Sequence, residues 1–355
     1  MDSLTQAVLG AGISGAMLGR FHGRKTLLAG AVLASLPDMD VLIDYGDPIS
    51  GMIHHRGFSH SLFVLTGLAV LLTVAWRRWR PSQEYGAGRL LATLCLILLT
   101  HPLLDAFTSY GTQLWWPLRP TPTSWSSIFI IDPFYTVPLL VGVLVAAIAG
   151  IGGRTQRALV WVLGASTIYL ALSLVAKTTI EQRASRILEK DGIRALAVFS
   201  TPEPFNILLW RVVARTADDH YVELISGLLD DSAPERIMLP LNSALASELP
   251  PVPQLDGLRW FTDDWLRYDE IDGQLVVTDL RMGLGTGHYS FRFKIATRTG
   301  PDGTWKSITP TYWPSVRDIP ALKAAVRRAW QQSPPLPLRQ WEKRMTLPFG
   351  GTPDS

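Results

Sequence analysis

His54-His55-Arg56-Gly57-Phe58-Ser59-His60-Ser61 opens a membrane-length apolar segment, residues 62–76. Three of the chain's seven histidines fall in these eight residues. Imidazole is a common metal ligand, and the Arg56 guanidinium is a natural grip for an anionic oxygen. The plainer alternative is an interfacial loop with its polar residues among lipid headgroups. His55 has better spacing to His60 than His54 has, with Gly57 turning the chain between them.

Outward from this stretch, composition divides the chain. Of its 355 residues 47% are apolar and only 18% charged, which is low for a soluble protein. Residues 1–177 hold 12 Lys and Arg against 8 Asp and Glu, and the remainder holds 21 against 22. The basic excess thus belongs to the apolar half. No basic stripe interleaved with aromatics is present, so the charge reads as membrane orientation and not as nucleic-acid binding. A single cysteine, Cys95, excludes an intrachain disulfide. Asp2, with no basic region before the first apolar stretch, argues against a cleavable signal peptide.

Six apolar segments are expected as helices: residues 4–19, 26–43, 61–76, 90–107, 133–151 and 158–176. The first is rich in glycine, and Gly15 and Gly19 suit close helix packing. Pro37 ends or kinks the second. Arg20, Arg24, Lys25, Arg77, Arg78, Arg80, Arg89, Arg154 and Arg157 all fall in alternate connections, which the positive-inside rule places in the cytoplasm. The expected architecture is an α-helical polytopic membrane domain of about six helices, some short or kinked, over residues 1–177. A β-rich α+β soluble domain follows over 178–333, and a loose tail over 334–355. Residues 179–191 read as an amphipathic helix and 319–331 as another. Strands are expected at 195–199, 207–215, 221–225, 265–268, 275–280 and 290–296, with Asp272-Gly273 as a hairpin turn.

With this topology Asp2, Asp38, Asp40, His55, His60, His101 and Asp105 all lie at helix ends on the outer side. His101 and Asp105 are four apart and share a helix face. Within an apolar run both are costly without a partner, so they read as joint metal ligands, or as a His oriented by an Asp. Asp38 and Asp40 follow Pro37, where one can be a ligand and the other a general base. The alternative is a cap and a solvated carboxylate. His55, His60, His101, Asp105 and Asp38 make an N/O ligand set that suits Zn²⁺, with Mn²⁺ or Fe²⁺ as alternatives. A metal with an open position makes water nucleophilic at neutral pH. Asp38, Asp40 and Arg56 are then the expected catalytic residues, and a lipid or envelope ester or phosphoester the expected substrate. A non-catalytic scaffold with a structural metal, and a transporter, are the competing classes. His22, His220 and His288 stand alone.

The pattern resembles bacterial inner-membrane proteins of the YdjM type. The resemblance rests on Met1-Asp2-Ser3-Leu4-Thr5, Leu36-Pro37-Asp38-Met39-Asp40, His55-Arg56-Gly57-Phe58-Ser59-His60-Ser61 and His101-Pro102-Leu103-Leu104-Asp105. Thr108-Ser109-Tyr110-Gly111 and Leu114-Trp115-Trp116-Pro117 extend it, so that it covers about residues 1–176. Residues 204–211 and 279–283 resemble pieces of longer members with an extra-membrane domain. The resemblance implies a metal-dependent hydrolase of unspecified substrate, and for some members an association with the SOS repressor LexA. One departure stands out: many members have His where this chain has Gln6, so a ligand is lost or replaced by an amide oxygen.

Overall fold

Small residues set the spacing of the N-terminal helices. The structure, a computed structural model, describes residues 1–81, 84–300, 303–315 and 318–346. It divides into two compact units. The first holds Met1–Ile43, His55–Trp125 and Ile130–Ser173; the second holds Asp44–His54, Ser126–Phe129 and the chain from Leu174 onward.

In the first unit α1 (Ser3–His22) is capped by Asp2, whose carboxylate accepts from the Thr5 N–H at 3.0 Å. α1 is buried along most of its length. A Cβ on Gly10 would lie 2.4 Å from both the Ala34 Cβ and the Gly30 carbonyl oxygen of α2 (Lys25–Ser35), so only hydrogen fits between these backbones. Gly15 and Gly19, expected to make the close approach, instead receive the side chains of Leu27, Leu159 and Ile151. α2 ends at Ser35, and a 3-10 turn covers Pro37–Leu42, as the proline predicts.

A short helix, α3 (Pro48–His54), belongs to the second unit. α4 (Leu62–Trp79), α5 (Ala87–Ala106), α6 (Pro133–Ala149) and α7 (Gly153–Lys190) follow. By length and composition α4, α5 and α7 can cross a bilayer, and α2 and α6 are shorter apolar helices. Each of the six apolar segments is therefore helical. The last differs from expectation: residues 158–176 and 179–190 lie in one 38-residue helix, and Asp191 falls just past its end. No glycine or proline interrupts residues 165–190, so nothing ends the helix where the apolar run stops.

The end of α7 nucleates the second unit. Ala176, Ile180, Ala184 and Leu188 recur every four residues and form one buried face. They pack on a meander of β1 (Ala195–Pro202), β2 (Leu209–Thr216), β3 (His220–Gly227) and β4 (Glu235–Pro240), against Trp210, Val212 and Ala214 of β2. The next elements are α8 (Ala244–Ser247), α9 (Pro253–Thr262) and a second meander, β5 (Leu266–Ile271), β6 (Gln274–Asp279), β7 (Arg292–Thr297) and β8 (Lys306–Tyr312). Val213 and Tyr221, on the other side of the first sheet, meet Trp265, Leu280 and Tyr289. Alternation along β2 thus serves two layers at once. Asp272 and Gly273 both have positive φ and join β5 to β6, the hairpin that the sequence predicts. Packing against α3 was not legible: a Cβ on Gly257 of α9 would lie 2.7 Å from Ile53.

α10 (Ile319–Arg328), α11 (Leu338–Glu342) and a 3-10 turn, Lys343–Thr346, complete the described chain. The expectation of a loose tail from residue 334 is corrected over 334–346. Leu336, Leu338 and Trp341 are buried with Leu209 and Ile225, because their apolar side chains close one end of the first sheet's core. The rest of that tail lies outside the described residues.

The two stretches that resemble longer family members meet here. Arg211 donates to the Leu280 carbonyl at 2.6 Å and pairs with Glu223 at 2.7 Å. Beside them Glu203 is buried, accepting from the Gly285 N–H at 2.7 Å through one oxygen while the other has no partner among the described residues. Burial pushes its carboxyl up to about 7, against the pull of the Gly285 N–H and Arg211. Between roughly pH 5 and 7 the folded chain therefore holds a proton that the unfolded chain has released, so stability falls as pH rises through that window and levels above it. Thermal melts in detergent should show that fall, and Glu203→Gln should flatten it. The expected difference between the ends of the window is at most about 3 kcal/mol. An identical pH profile in both proteins contradicts the assignment.

Candidate metal centre

The proton positions at this site follow from its hydrogen-bond partners. His101, near the end of α5, places Nδ1 2.6 Å from the Ala34 carbonyl oxygen. A carbonyl only accepts, so Nδ1 carries a proton, and in the neutral ring Nε2 presents a lone pair. His60 lies on a 3-10 turn, Phe58–His60. Ser59 gives its one hydroxyl proton to Asp40 Oδ2 at 2.6 Å. Its contact with His60 Nδ1, at 2.9 Å, must then use the ring proton, so in the neutral ring His60 Nε2 is also a lone pair.

The two Nε2 atoms face each other at 3.2 Å. Asp38 Oδ1 lies 3.5 Å from that of His60 and 3.3 Å from that of His101. Asp105 Oδ2 lies 3.2 Å and 3.6 Å from the same atoms. One ligand atom each from Asp38, His60, His101 and Asp105 thus falls within 4.8 Å of the others. Asp105 Oδ2 is buried and has no hydrogen-bond partner among the described residues. With both rings neutral, two imidazole lone pairs and two carboxylate oxygens repel one another, and a bound cation or a proton on one ring relieves that repulsion. This donor set fits a four-coordinate divalent ion.

The other oxygen of Asp105 is already occupied. Oδ1 receives Arg56 Nη2 at 3.1 Å, Gln6 Nε2 at 3.2 Å and the Met1 amino group. Gln6 Nε2 also lies 3.2 Å from the His101 carbonyl oxygen, so Gln6 braces two members of the cluster, while its Oε1 is buried with no hydrogen-bond partner among the described residues. Arg56 is buried, donates to Thr108 Oγ1 at 3.3 Å and lies over the Tyr110 ring at 4.9 Å. Its Nε has no partner among the described residues.

His55 and Asp40 fall elsewhere than the sequence suggests. His55 is not among the four converging residues. Its Nδ1 is held by Asp40 Oδ1 at 2.8 Å, and its ring edges on those of His60 and Tyr110. Asp40 accepts additionally from the Arg56 N–H at 3.0 Å and from Ser59. With three donors it is an anchor for the loop and is poorly placed to act as a base. That anchoring holds Arg56 at φ 62°, a left-handed conformation uncommon for a non-glycine residue. His54 stacks on Tyr45 within the second unit. The roles of Ser59, Thr108 and the Ala34 carbonyl were missed. Ser59 adjoins a ligand in sequence, but a backbone oxygen leaves no sequence signal.

An apolar helix bundle with a buried His/Asp cluster at one end defines a polytopic membrane protein with a possible metal-binding site. The profile of the YdjM inner membrane protein family matches residues 1–180, half of the chain, and the chain belongs to that family. Uncharacterized protein YfhP of Bacillus subtilis (strain 168) is 25% identical over 232 residues, 62% of this chain and 67% of YfhP. Inner membrane protein YbcI of Escherichia coli (strain K12) is 38% identical over 93 residues, so the match spans 26% of this chain and 52% of YbcI. No solved structure matches significantly.

The cluster predicts metal content. Protein purified in detergent without chelators should carry about one equivalent of a transition metal by elemental mass spectrometry. His60→Ala and His101→Ala should each lose it, whereas His55→Ala should keep it. Loss in His55→Ala and retention in His101→Ala would reverse the ligand assignment.

Proposed function

We propose that the chain is a metal-dependent hydrolase of the inner membrane. In this reading Asp38, His60, His101 and Asp105 hold one divalent transition ion, Zn²⁺ before Mn²⁺ or Fe²⁺. What such an ion supplies when bound is Lewis acidity, which makes water nucleophilic near neutral pH. The observation that carries the reading is the unequal exposure of the cluster. The Asp38 side chain is 24% exposed while those of His60, His101 and Asp105 are fully buried. The Asp38 side of the centre is therefore the accessible one, and the catalytic reading requires water to bind the ion there beside the four residues or in place of one of them.

The remaining residues then take distinct roles. Arg56 brings a buried positive charge next to Asp105, suited to binding an oxyanion. Asp40 fixes the His55 ring through Nδ1, which leaves His55 Nε2 to take and return a proton. The expected base thus moves from Asp40 to His55, with Asp40 positioning it.

The surroundings support a lipid or envelope phosphoester or ester as substrate. Met39, Val41 and Leu42, on the turn that carries Asp38 and Asp40, are exposed. Phe58, Trp115 and Trp116 are also exposed, and Phe58 packs edge-on to Trp116. Aromatic residues of this kind favour the headgroup level of a bilayer. A phosphate monoester lipid such as phosphatidic acid in mixed micelles, assayed by phosphate release with added Zn²⁺ or Mn²⁺, is the first test, with a carboxyl-ester lipid in parallel. Wild type should turn over one of them. Asp38→Asn should lose nearly all activity, and His55→Ala should lower kcat by about 10²–10⁴-fold. Turnover equal in wild type and Asp38→Asn would sink the mechanism.

The basic residues of alternate connections support an orientation with the centre and the C-terminal unit on the periplasmic side. An alkaline phosphatase fusion after Ser355 should be active, and a fluorescent protein that matures only in the cytoplasm should be dark there. The opposite pair of results would invert the topology.

A further inference from the structure

At the other end of the first unit, three helices bring arginines onto a pair of aromatic rings. Phe21, near the end of α1, packs on Tyr85, just before α5, with ring centres 4.9 Å apart. The Arg20 guanidinium lies 4.4 Å from the Phe21 ring centre and that of Arg89 lies 5.5 Å from it. Arg77, from the end of α4, lies over Tyr85 at 5.2 Å and donates to the Tyr85 carbonyl oxygen. The platform is fixed from beneath. Tyr85 is buried, its hydroxyl is 2.8 Å from His22 Nε2, and His22 edges on Trp76.

Arg20 and Arg89 are exposed, share one ring, and are in no ion pair among the described residues. Both guanidiniums lie against the same ring, and their like charges repel. The ring quadrupole offsets part of that repulsion, but each guanidinium keeps unused donors in a planar fork that matches phosphate oxygens. Around the platform, Trp76 and Trp79 are exposed at the end of an apolar helix, the setting of a bilayer interface. Basic pockets between transmembrane helices bind anionic headgroups.

We propose that Arg20 and Arg89, seated on Phe21, bind the phosphate of an anionic glycerophospholipid in the leaflet opposite the His/Asp centre. This is separate from the hydrolase reading and stands if that reading fails.

Native mass spectrometry tests it on the full chain released from micelles containing equal phosphatidylglycerol and phosphatidylcholine. Wild type should retain phosphatidylglycerol over phosphatidylcholine by on the order of tenfold. Arg20→Gln combined with Arg89→Gln should lose the preference, while Arg154→Gln, in a separate basic connection, should keep it. Arg20→Lys combined with Arg89→Lys should be intermediate, because the charge stays and the fork is lost. Equal melting temperatures for wild type and variants establish that the fold is intact. Millimolar inorganic phosphate should leave the retained lipid in place. Equal retention of both lipids by wild type, unchanged preference in the double Gln variant, or displacement by phosphate would each overturn the proposal.

Discussion

Two imidazole nitrogens and two carboxylate oxygens meet within 4.8 Å at one end of an apolar helix bundle. Acceptors so arranged repel, and a desolvated carboxylate costs several kcal/mol even after the structure relaxes. The surrounding contacts distribute that cost unevenly. Asp105 has Arg56, Gln6 and the Met1 amino group on Oδ1, which leaves Oδ2 turned toward the two histidines with no proton donor of its own. Charge is thus balanced from one side only. The unbalanced side is the candidate position for a cation.

The helix packing and the centre depend on one another. Gly10 and Gly30 let α1 and α2 approach to backbone contact, and the Ala34 methyl group fills the same contact. The Ala34 carbonyl accepts from His101 Nδ1 and so fixes which ring nitrogen of His101 faces the centre. Gln6, one turn before Gly10, reaches the His101 carbonyl and Asp105. The residue that packs against Gly10 thus also orients, through its carbonyl, a ring on a third helix. In an apolar setting this coupling is rigid, because neither helix has water to take over a lost hydrogen bond.

Much of this was legible from residue type and spacing. Six long apolar runs become six helices, and the Asp-Gly turn becomes a hairpin. Asp38, His60, His101 and Asp105, all expected as ligands, converge. The failures have physical causes. β4 and β8 are edge strands that carry Pro240 and Pro310, and proline demotes a strand signal even though an edge tolerates it. The tail around Trp341 looks loose because its prolines hide a widely spaced set of apolar residues whose partners lie far back in the chain. His55 has the better loop spacing to His60, yet its Nδ1 is taken by Asp40, a tertiary contact that no spacing rule contains.

The clearest case is the turn that carries both aspartates. Asp38 and Asp40 are chemically identical and two residues apart, and from sequence either one serves as ligand or base. The turn is 3-10, with about three residues per turn, so positions two apart point to different sides. Asp38 faces the histidines and is partly open to the outside; Asp40 faces the following loop and is closed by three donors. Met39, Val41 and Leu42 fill the outward positions between and after them. A regular α-helix would also turn residues two apart to different sides, about 200° apart, so the pitch alone does not make the division. The contacts do: the two histidines lie on one side of the turn, and the His55 ring, the Arg56 N–H and the Ser59 hydroxyl lie on the other. One carboxylate is left facing the histidines and the other is a fixed anchor, with an apolar surface beside both.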